Sequence, residues 1–228
     1  NGDGWVDLYV PVGLGANRLF LNDGQGRFLD VTSGDLADSG DAVGATVGDI
    51  NNDGDLDIFQ ASPQLPGSGA RYRSFMLLNT GDGHFLDVTA GIGLSTLEYI
   101  GLIYSKLYDF DNDGDLDLST GFPFVFFVNK GDGTYEDRTF QAGLGGTYSI
   151  GDHDGDGFLD VWFNDSLFRN KGNGNHWLRV ELAGSVSNRN GIGAQVIATS
   201  DDLEQTREIY GGDGYFQGEI LAHFGIGD

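Results

Sequence analysis

Residues Gly48–Gln60 read GDINNDGDLDIFQ, and this stretch decides the fold. Counted from Asp49, side-chain oxygens fall at positions 1, 3, 5 and 9, on Asp49, Asn51, Asp53 and Asp57, with Gly54 at position 6. The segment that follows, LDIFQ, suits a short strand and has no helical period. The stretch returns in register as YDFDNDGDLDLST (Tyr108–Thr120) and GDHDGDGFLDVWF (Gly151–Phe163), and NGDGWVDLYV (Asn1–Val10) matches its second half. Repetition of this kind marks a chain built from one structural unit used several times.

A second element recurs after each acidic stretch. Its copies are LFLNDGQGRFLDVT from Leu19, MLLNTGDGHFLDVT from Met76 and FFVNKGDGTYEDRT from Phe126, with a weaker LFRNKGNGNHWLRV from Leu167. Each has an apolar strand, an Asn, a Gly-rich turn and an aromatic residue opening another strand, which is a hairpin pattern. The unit is therefore strand, acidic loop, strand, connection, strand, turn, strand. Four antiparallel strands per unit is the construction of a β-propeller blade. Uneven spacing between copies fits blades, whose extra residues go into surface loops such as Ala61–Arg73 and Ala90–Gly101. The expected fold is all-β: propeller blades with metal-binding loops over residues 1–174, then a smaller β domain over 175–228, where WLRVEL and AQVIAT alternate as strands do. Arg207 and Glu208 are expected on a strand with one solvated face.

The loops carry the chemistry. Ca²⁺ takes six to eight oxygens at about 2.3–2.6 Å, and alternate residues of a tight loop can turn their oxygens inward. The side-chain set is Asp49, Asn51, Asp53 and Asp57 in the first full loop, then Asp109, Asp111, Asp113 and Asp117, then Asp152, Asp154, Asp156 and Asp160. Position 7, held by Asp55, Asp115 and Phe158, is expected to ligate through its main-chain carbonyl, since a Phe serves there as well as an Asp. The partial copy offers Asn1, Asp3 and Asp7 but lacks position 1, so it is expected to bind weakly or not at all. Position 12 is Gln60, Thr120 or Phe163, not the bidentate Glu of a helix-flanked EF-hand loop. Without a cation, each loop crowds carboxylates that repel by about 1 kcal/mol per pair at 4 Å even in water.

Charge and composition narrow the partners. The formal net charge is −23, with 35 acidic and 12 basic residues, which opposes binding to nucleic acid or to an anionic membrane. There are 39 glycines, 4 prolines and no cysteine, so neither a disulfide frame nor a thiolate metal site is possible. No apolar run approaches a membrane span.

On these residues the chain resembles FG-GAP/VCBS-type repeats over roughly 1–172, a family of calcium-bearing β-propellers. Its C-terminal part, with NHWLRVELAGSVSNRNGIGAQV, QTREIYGGDGYF and HFGIGD, resembles the ASPIC/UnbV domain from about Asn175 and stops where that family usually continues. The same order of parts occurs in the cartilage acidic proteins and in bacterial secreted proteins. The resemblance implies a secreted or extracellular location and an unidentified protein or glycan partner.

No nucleophile elbow, His-Glu-x-x-His helix or phosphate loop is present. His84, His153, His176 and His223 are scattered; His153 holds position 2 of its loop, where Ile50 and Phe110 stand in the other copies, and is expected to pack. Asn22, Asn79, Asn129 and Asn170 recur with the blades, as do Asp30, Asp87 and Asp137, and so serve the blade. Unrepeated Arg71, Tyr72, Arg73, Tyr99, Tyr104 and Tyr108 are the better candidates for contact with a partner. A non-enzymatic extracellular module for recognition, adhesion or assembly is expected. The competing readings are a propeller that binds or acts on polysaccharide and a subunit of an extracellular filament, self-assembled through truncated edges. Asn164-Asp165-Ser166 is the one glycosylation acceptor sequence.

Overall fold

The computed structural model describes all residues except 14, 38–41, 64–72, 100–101, 122–123, 145–147, 164, 187, 201–202 and 212–219, and only the backbone of 98, 99 and 148. Most of the Ala61–Arg73 insertion, with Arg71 and Tyr72, the side chain of Tyr99, and Asn164 of the glycosylation sequence therefore lie outside the described residues.

Four antiparallel sheets follow one another along the chain. The first holds β1 (Leu8–Val10), β2 (Arg18–Asn22) and β3 (Phe28–Asp30). The second is complete: β4 (Gly44–Gly48), β5 (Asp57–Ala61), β6 (Phe75–Asn79) and β7 (Phe85–Asp87), in that spatial order. The third repeats it with β8 (Ser105–Tyr108), β9 (Asp117–Gly121), β10 (Phe124–Asn129) and β11 (Tyr135–Asp137). The fourth has three strands, β12 (Tyr148–Gly151), β13 (Asp160–Phe163) and β14 (Ser166–Phe168). Each acidic loop is the connection of a hairpin closed at one register, Gly48 opposite Asp57, Tyr108 opposite Asp117 and Gly151 opposite Asp160.

Central strands are buried on both faces because a neighbouring sheet packs on each. Period-two alternation sorts their side chains. Ile58, Phe75 and Leu77 point to the first sheet and join Leu19 and Leu36, whereas Phe59, Ala61 and Met76 point to the third and join Leu118, Val125 and Phe127. On β10, Phe124 and Phe126 turn the other way, to Leu159 and Val161 of the fourth sheet. Position 2 of the first two full loops belongs to this stacking: Ile50 packs into the second–third core and Phe110 into the third–fourth. His153 departs from expectation, since it is exposed. It sits on the fourth sheet, beyond which the described residues place no further sheet for it to pack against.

The weaker fourth hairpin also departs from the pattern. Its outer strand, β15 (His176–Val180), leaves the blade and pairs with β18 (Ala222–Gly227), and β16 (Gln195–Ser200) pairs with β17 (Leu203–Glu208). These strands share a small core of Ile209, Ala222 and Phe224, with Val180, Leu182, Val196 and Ala198 against it. Inner strands β4, β8 and β12 face this C-terminal segment across a cavity of about 110 Å³ lined by Gly48, Tyr108, Gly151, Arg207 and His223. Arg207 lines this cavity because the sheet it belongs to lies on the repeats.

Candidate metal centre

The three full loops share one hydrogen-bond scheme. The carboxylate at position 1 accepts the glycine N–H at position 6: Asp49 from Gly54 at 3.1 Å, Asp109 from Gly114 at 2.9 Å and Asp152 from Gly157 at 3.0 Å. That closure needs a positive φ at position 6, observed at 90°, 100° and 87°, which a residue with Cβ resists. The carboxylate at position 9 clips the loop to its sheet. Asp57 accepts the N–H groups of Ile50 and Asn79, Asp117 those of Phe110 and Asn129, and Asp160 those of His153 and Asn170. Sequence spacing presented these residues only as ligands, and the structure gives them this framework role as well.

Position 7 side chains point away from the loop. Asp55, Asp115 and Phe158 each lie over the glycine of their own hairpin turn, at Gly81, Gly131 and Gly172, and Trp5 lies over Gly24 in the partial copy. A side chain directed there leaves only the main-chain carbonyl for the loop interior.

The loops differ in what their carboxylates face. Oxygens of Asp109, Asp111 and Asp113 come within 4.8 Å of one another, and so do those of Asp152, Asp154 and Asp156; either group could hold a metal ion. In the second loop Asp109 is 2% exposed, and its Oδ1 is buried with no hydrogen-bond partner; Asp111 Oδ1 is likewise buried and unpartnered. Buried polar atoms are nearly always satisfied, so these two point to a ligand. Burial, joined by the Asp113 charge, pushes the Asp109 carboxyl up to about 7 and that of Asp111 to about 6. A divalent ion among these oxygens would reverse that effect, because it favours the ionised form.

The third cluster is served by arginines. Arg179 Nη1 lies 3.2 Å from Asp152 Oδ2, and Arg169 reaches Asp154 Oδ2 at 2.5 Å and Asp156 Oδ2 at 3.0 Å. In the first loop Asn51 replaces the middle carboxylate and donates its amide to Asp53 Oδ2 at 2.8 Å. Asn1, Asp3 and Asp7 keep the later half of the scheme, with Trp5 N–H on Asp3 and Asn22 N–H on Asp7.

Position 4, which the sequence reading passed over, links the loops to one another. Asn52 donates to Asp115 Oδ1 at 2.8 Å, and Asn112 donates to Gly157 O at 3.0 Å. Both asparagines have positive φ, 55° and 57°, a conformation Asn tolerates better than most residues. The Asn-Asp-Gly triplet could have signalled that geometry, though not its partner. Of the unrepeated residues, Arg73 ion-pairs with Asp87, and Tyr108 packs edge-on to Phe110 at 6.2 Å between centroids.

Comparison with known proteins matches two stretches of the chain. Residues 1–59 match the family model of the FG-GAP-like repeat, and residues 184–228 match that of ASPIC and UnbV. The chain carries both signatures. It is 30% identical to cartilage acidic protein 1 of Xenopus tropicalis, aligned over 97% of this chain and 37% of that protein. It is 28% identical to the proteins of the same name from Mus musculus and Homo sapiens, over 38% and 37% of their lengths. The chain thus spans a little over a third of the curated relatives it matches. The FG-GAP-like match over 1–59 and the chain's two four-stranded antiparallel sheets agree with the all-β architecture expected from the repeats. No helix among the described residues is long and apolar enough to cross a membrane.

Proposed function

We propose that this chain is an extracellular, non-catalytic module whose blades are each stabilised by calcium and which serves recognition, adhesion or assembly. The observation that carries the reading is the second loop: three carboxylates converge there, and two of their buried oxygens have no protein partner. Calcium fits this donor set, which is all oxygen, flexible and anionic; magnesium demands near-octahedral geometry and sheds its waters reluctantly. Asp109, Asp111 and Asp113 would hold the ion through side chains, with Asp115 through its carbonyl and Asp117 completing the loop. The ion would neutralise the cluster and cross-link two strands of one sheet.

An extracellular setting is supported by the similarity to cartilage acidic proteins and by the same excess of acid, −23 at neutral pH. A protein or glycan is the partner class this charge allows, whereas nucleic acid and anionic bilayers are disfavoured. Trp5 and Val6 in the first, partial loop, Leu8 on the first sheet, and Trp162, Leu167 and Phe168 on the fourth are exposed apolar residues, which supports self-assembly as one form of that partnership.

The test is thermal unfolding in chelator, in millimolar Ca²⁺ and in millimolar Mg²⁺ at matched ionic strength. A ligand that binds only the folded state adds about 2.7 kcal/mol per site at a hundredfold excess over Kd. A clear rise in Tm with calcium and a smaller one with magnesium is expected. Superimposable curves in chelator and calcium would sink the calcium reading, and turnover of any glycan would sink the non-catalytic one.

A further inference from the structure

The C-terminal segment touches the repeats at the loops. Gly225 N–H donates to Asp109 Oδ2 at 3.0 Å, and Gly227 N–H donates to Asn112 O at 2.9 Å. His223 Nε2 lies 2.8 Å from Asn112 Oδ1. At its other edge, Asn175 donates to Asp111 O at 2.9 Å, and the Trp177 indole N–H donates to Asp156 O at 2.9 Å. Two strands paired to each other, β15 and β18, therefore lie across the second and third loops.

The fit is close. A Cβ at Gly225 would stand 2.1 Å from Asp109 Oδ2 and 2.4 Å from Asn112 Cα, and one at Gly114 would meet Leu203 Cδ2 at 2.6 Å. Gly54, the same position in the first loop, has nothing within 4 Å. Coverage is therefore a property of particular loops and not of the repeat.

We propose that the C-terminal segment is the outer wall of the second cation site, so that calcium binding there and docking of β15 and β18 are one coupled event. This rests on the calcium reading of that loop. Docking withdraws water from Asp109 and its neighbours, which is unfavourable for a carboxylate cluster without a counter-ion. A divalent ion removes that penalty. Docking in turn engages Asp109 Oδ2 with two backbone N–H groups and leaves Oδ1 as the oxygen for the ion. Each event favours the other, and linkage makes the effect reciprocal. The segment has a small core of its own.

The experiment is hydrogen exchange of residues 222–227 in the full chain, with calcium titrations in parallel. Removing calcium is expected to speed exchange there by about tenfold or more, the scale of ordinary site-to-site coupling. In calcium, Asp113→Ala should do the same and Asp53→Ala should not. Gly225→Val should weaken one calcium site about tenfold and spare the others. Unchanged exchange at 222–227 in the Asp113→Ala variant and in chelator would overturn the coupling. Should Gly225→Val fail to fold, the exchange comparison still decides. Absence of any calcium binding would bring down both readings together, whereas binding with indifferent 222–227 exchange brings down this one alone.

Discussion

Asn129 donates its side-chain amide to Ile50 O at 2.9 Å, which ties the hairpin turn of the third sheet to the acidic loop of the second. Asn170 makes the same bond to Phe110 O at 2.8 Å, one sheet further on. The recurring Asn is thus a staple between sheets, while its backbone N–H goes to the position 9 carboxylate of its own.

The staple predicts unequal costs for one substitution at two repeats. Asn129 is buried and makes the inter-sheet bond, whereas the Asn22 amide donates to Val6 O of its own loop in an exposed setting, and its Oδ1 accepts from Gly24 of its own turn. Asn129→Ala leaves Ile50 O without that donor, a loss of about 1–3 kcal/mol, and Asn22→Ala should cost less than about 1 kcal/mol. Urea midpoints at a shared m-value measure both. Equal shifts would mean that the Asn serves only its own turn.

Loops and blades were legible because they repeat: three copies of Asp49–Asp57 in register announce a hairpin whose loop crowds carboxyl and carboxamide oxygens. Sheet order followed from the same repetition. Contacts between copies were not legible, since nothing in Asn52 names Asp115 as its partner, nor in Asn112 names Gly157. The expectation for His153 failed for a related reason: a packing position needs a neighbouring sheet, and its own sequence does not say whether one follows. Alternation describes a sheet by itself, so nothing in β17 announces that Arg207 lines a cavity against the repeats. Docking of Gly225 on Asp109 joins residues far apart in a segment without periodicity, where sequence offers no register to read.

Arg169 gives a prediction that separates the third loop from the second. Its guanidinium bridges Asp154 and Asp156, two of the three carboxylates a cation would use, and it is itself exposed. An ion must displace it. Arg169→Ala should therefore tighten calcium binding at the third loop by up to about fivefold, since an exposed pair contributes up to about 1 kcal/mol. Titration calorimetry of the variant against the parent chain checks this. Weaker binding would show that the arginine organises the loop for its ion and does not compete with it.

The metal-free protein should lose stability as pH rises. Burial raises the carboxyls of Asp57 and Asp109 to about 7 and that of Asp111 to about 6, against 3.8 for a free carboxyl. Asp117 is raised as well by burial. An acid whose folded pKa is raised binds more protons folded than unfolded, so stability present near pH 4 is lost on rising through 7. His223 opposes this: burial, with Arg207 and Arg179 nearby, lowers it from 6.5 to about 4, so its contribution is lost on falling through that range. Four carboxyls outweigh one imidazole. Carboxyls lowered by hydrogen bonds, such as Asp82 and Asp132, titrate below the window. In protein stripped of metal, Tm should fall between pH 5 and 8, and in saturating calcium that fall should disappear. A metal-free Tm that rises over this range would contradict the burial of these carboxylates.

Gly54 and Gly114 allow the docked segment to be weighed against backbone strain. Both glycines hold position 6 with φ of 90° and 100°, so replacement by Ala imposes similar conformational strain on each, about 1–2 kcal/mol. Only at Gly114 does the new methyl meet the C-terminal segment, at Leu203 Cδ2 and, at 3.3 Å, Gln205 Nε2. Gln205 is buried and donates to Gly225 O at 2.6 Å, so it cannot swing aside without losing that bond. Leu203 is partly exposed and can yield, which limits the added cost. Gly114→Ala should therefore destabilise by about 1–3 kcal/mol more than Gly54→Ala, the range for forcing extra methyl groups into packed surroundings. It should also raise protease sensitivity of the C-terminal segment selectively. Comparing the two variants cancels the strain they share. Equal losses of stability would mean that the segment contributes nothing at the second loop.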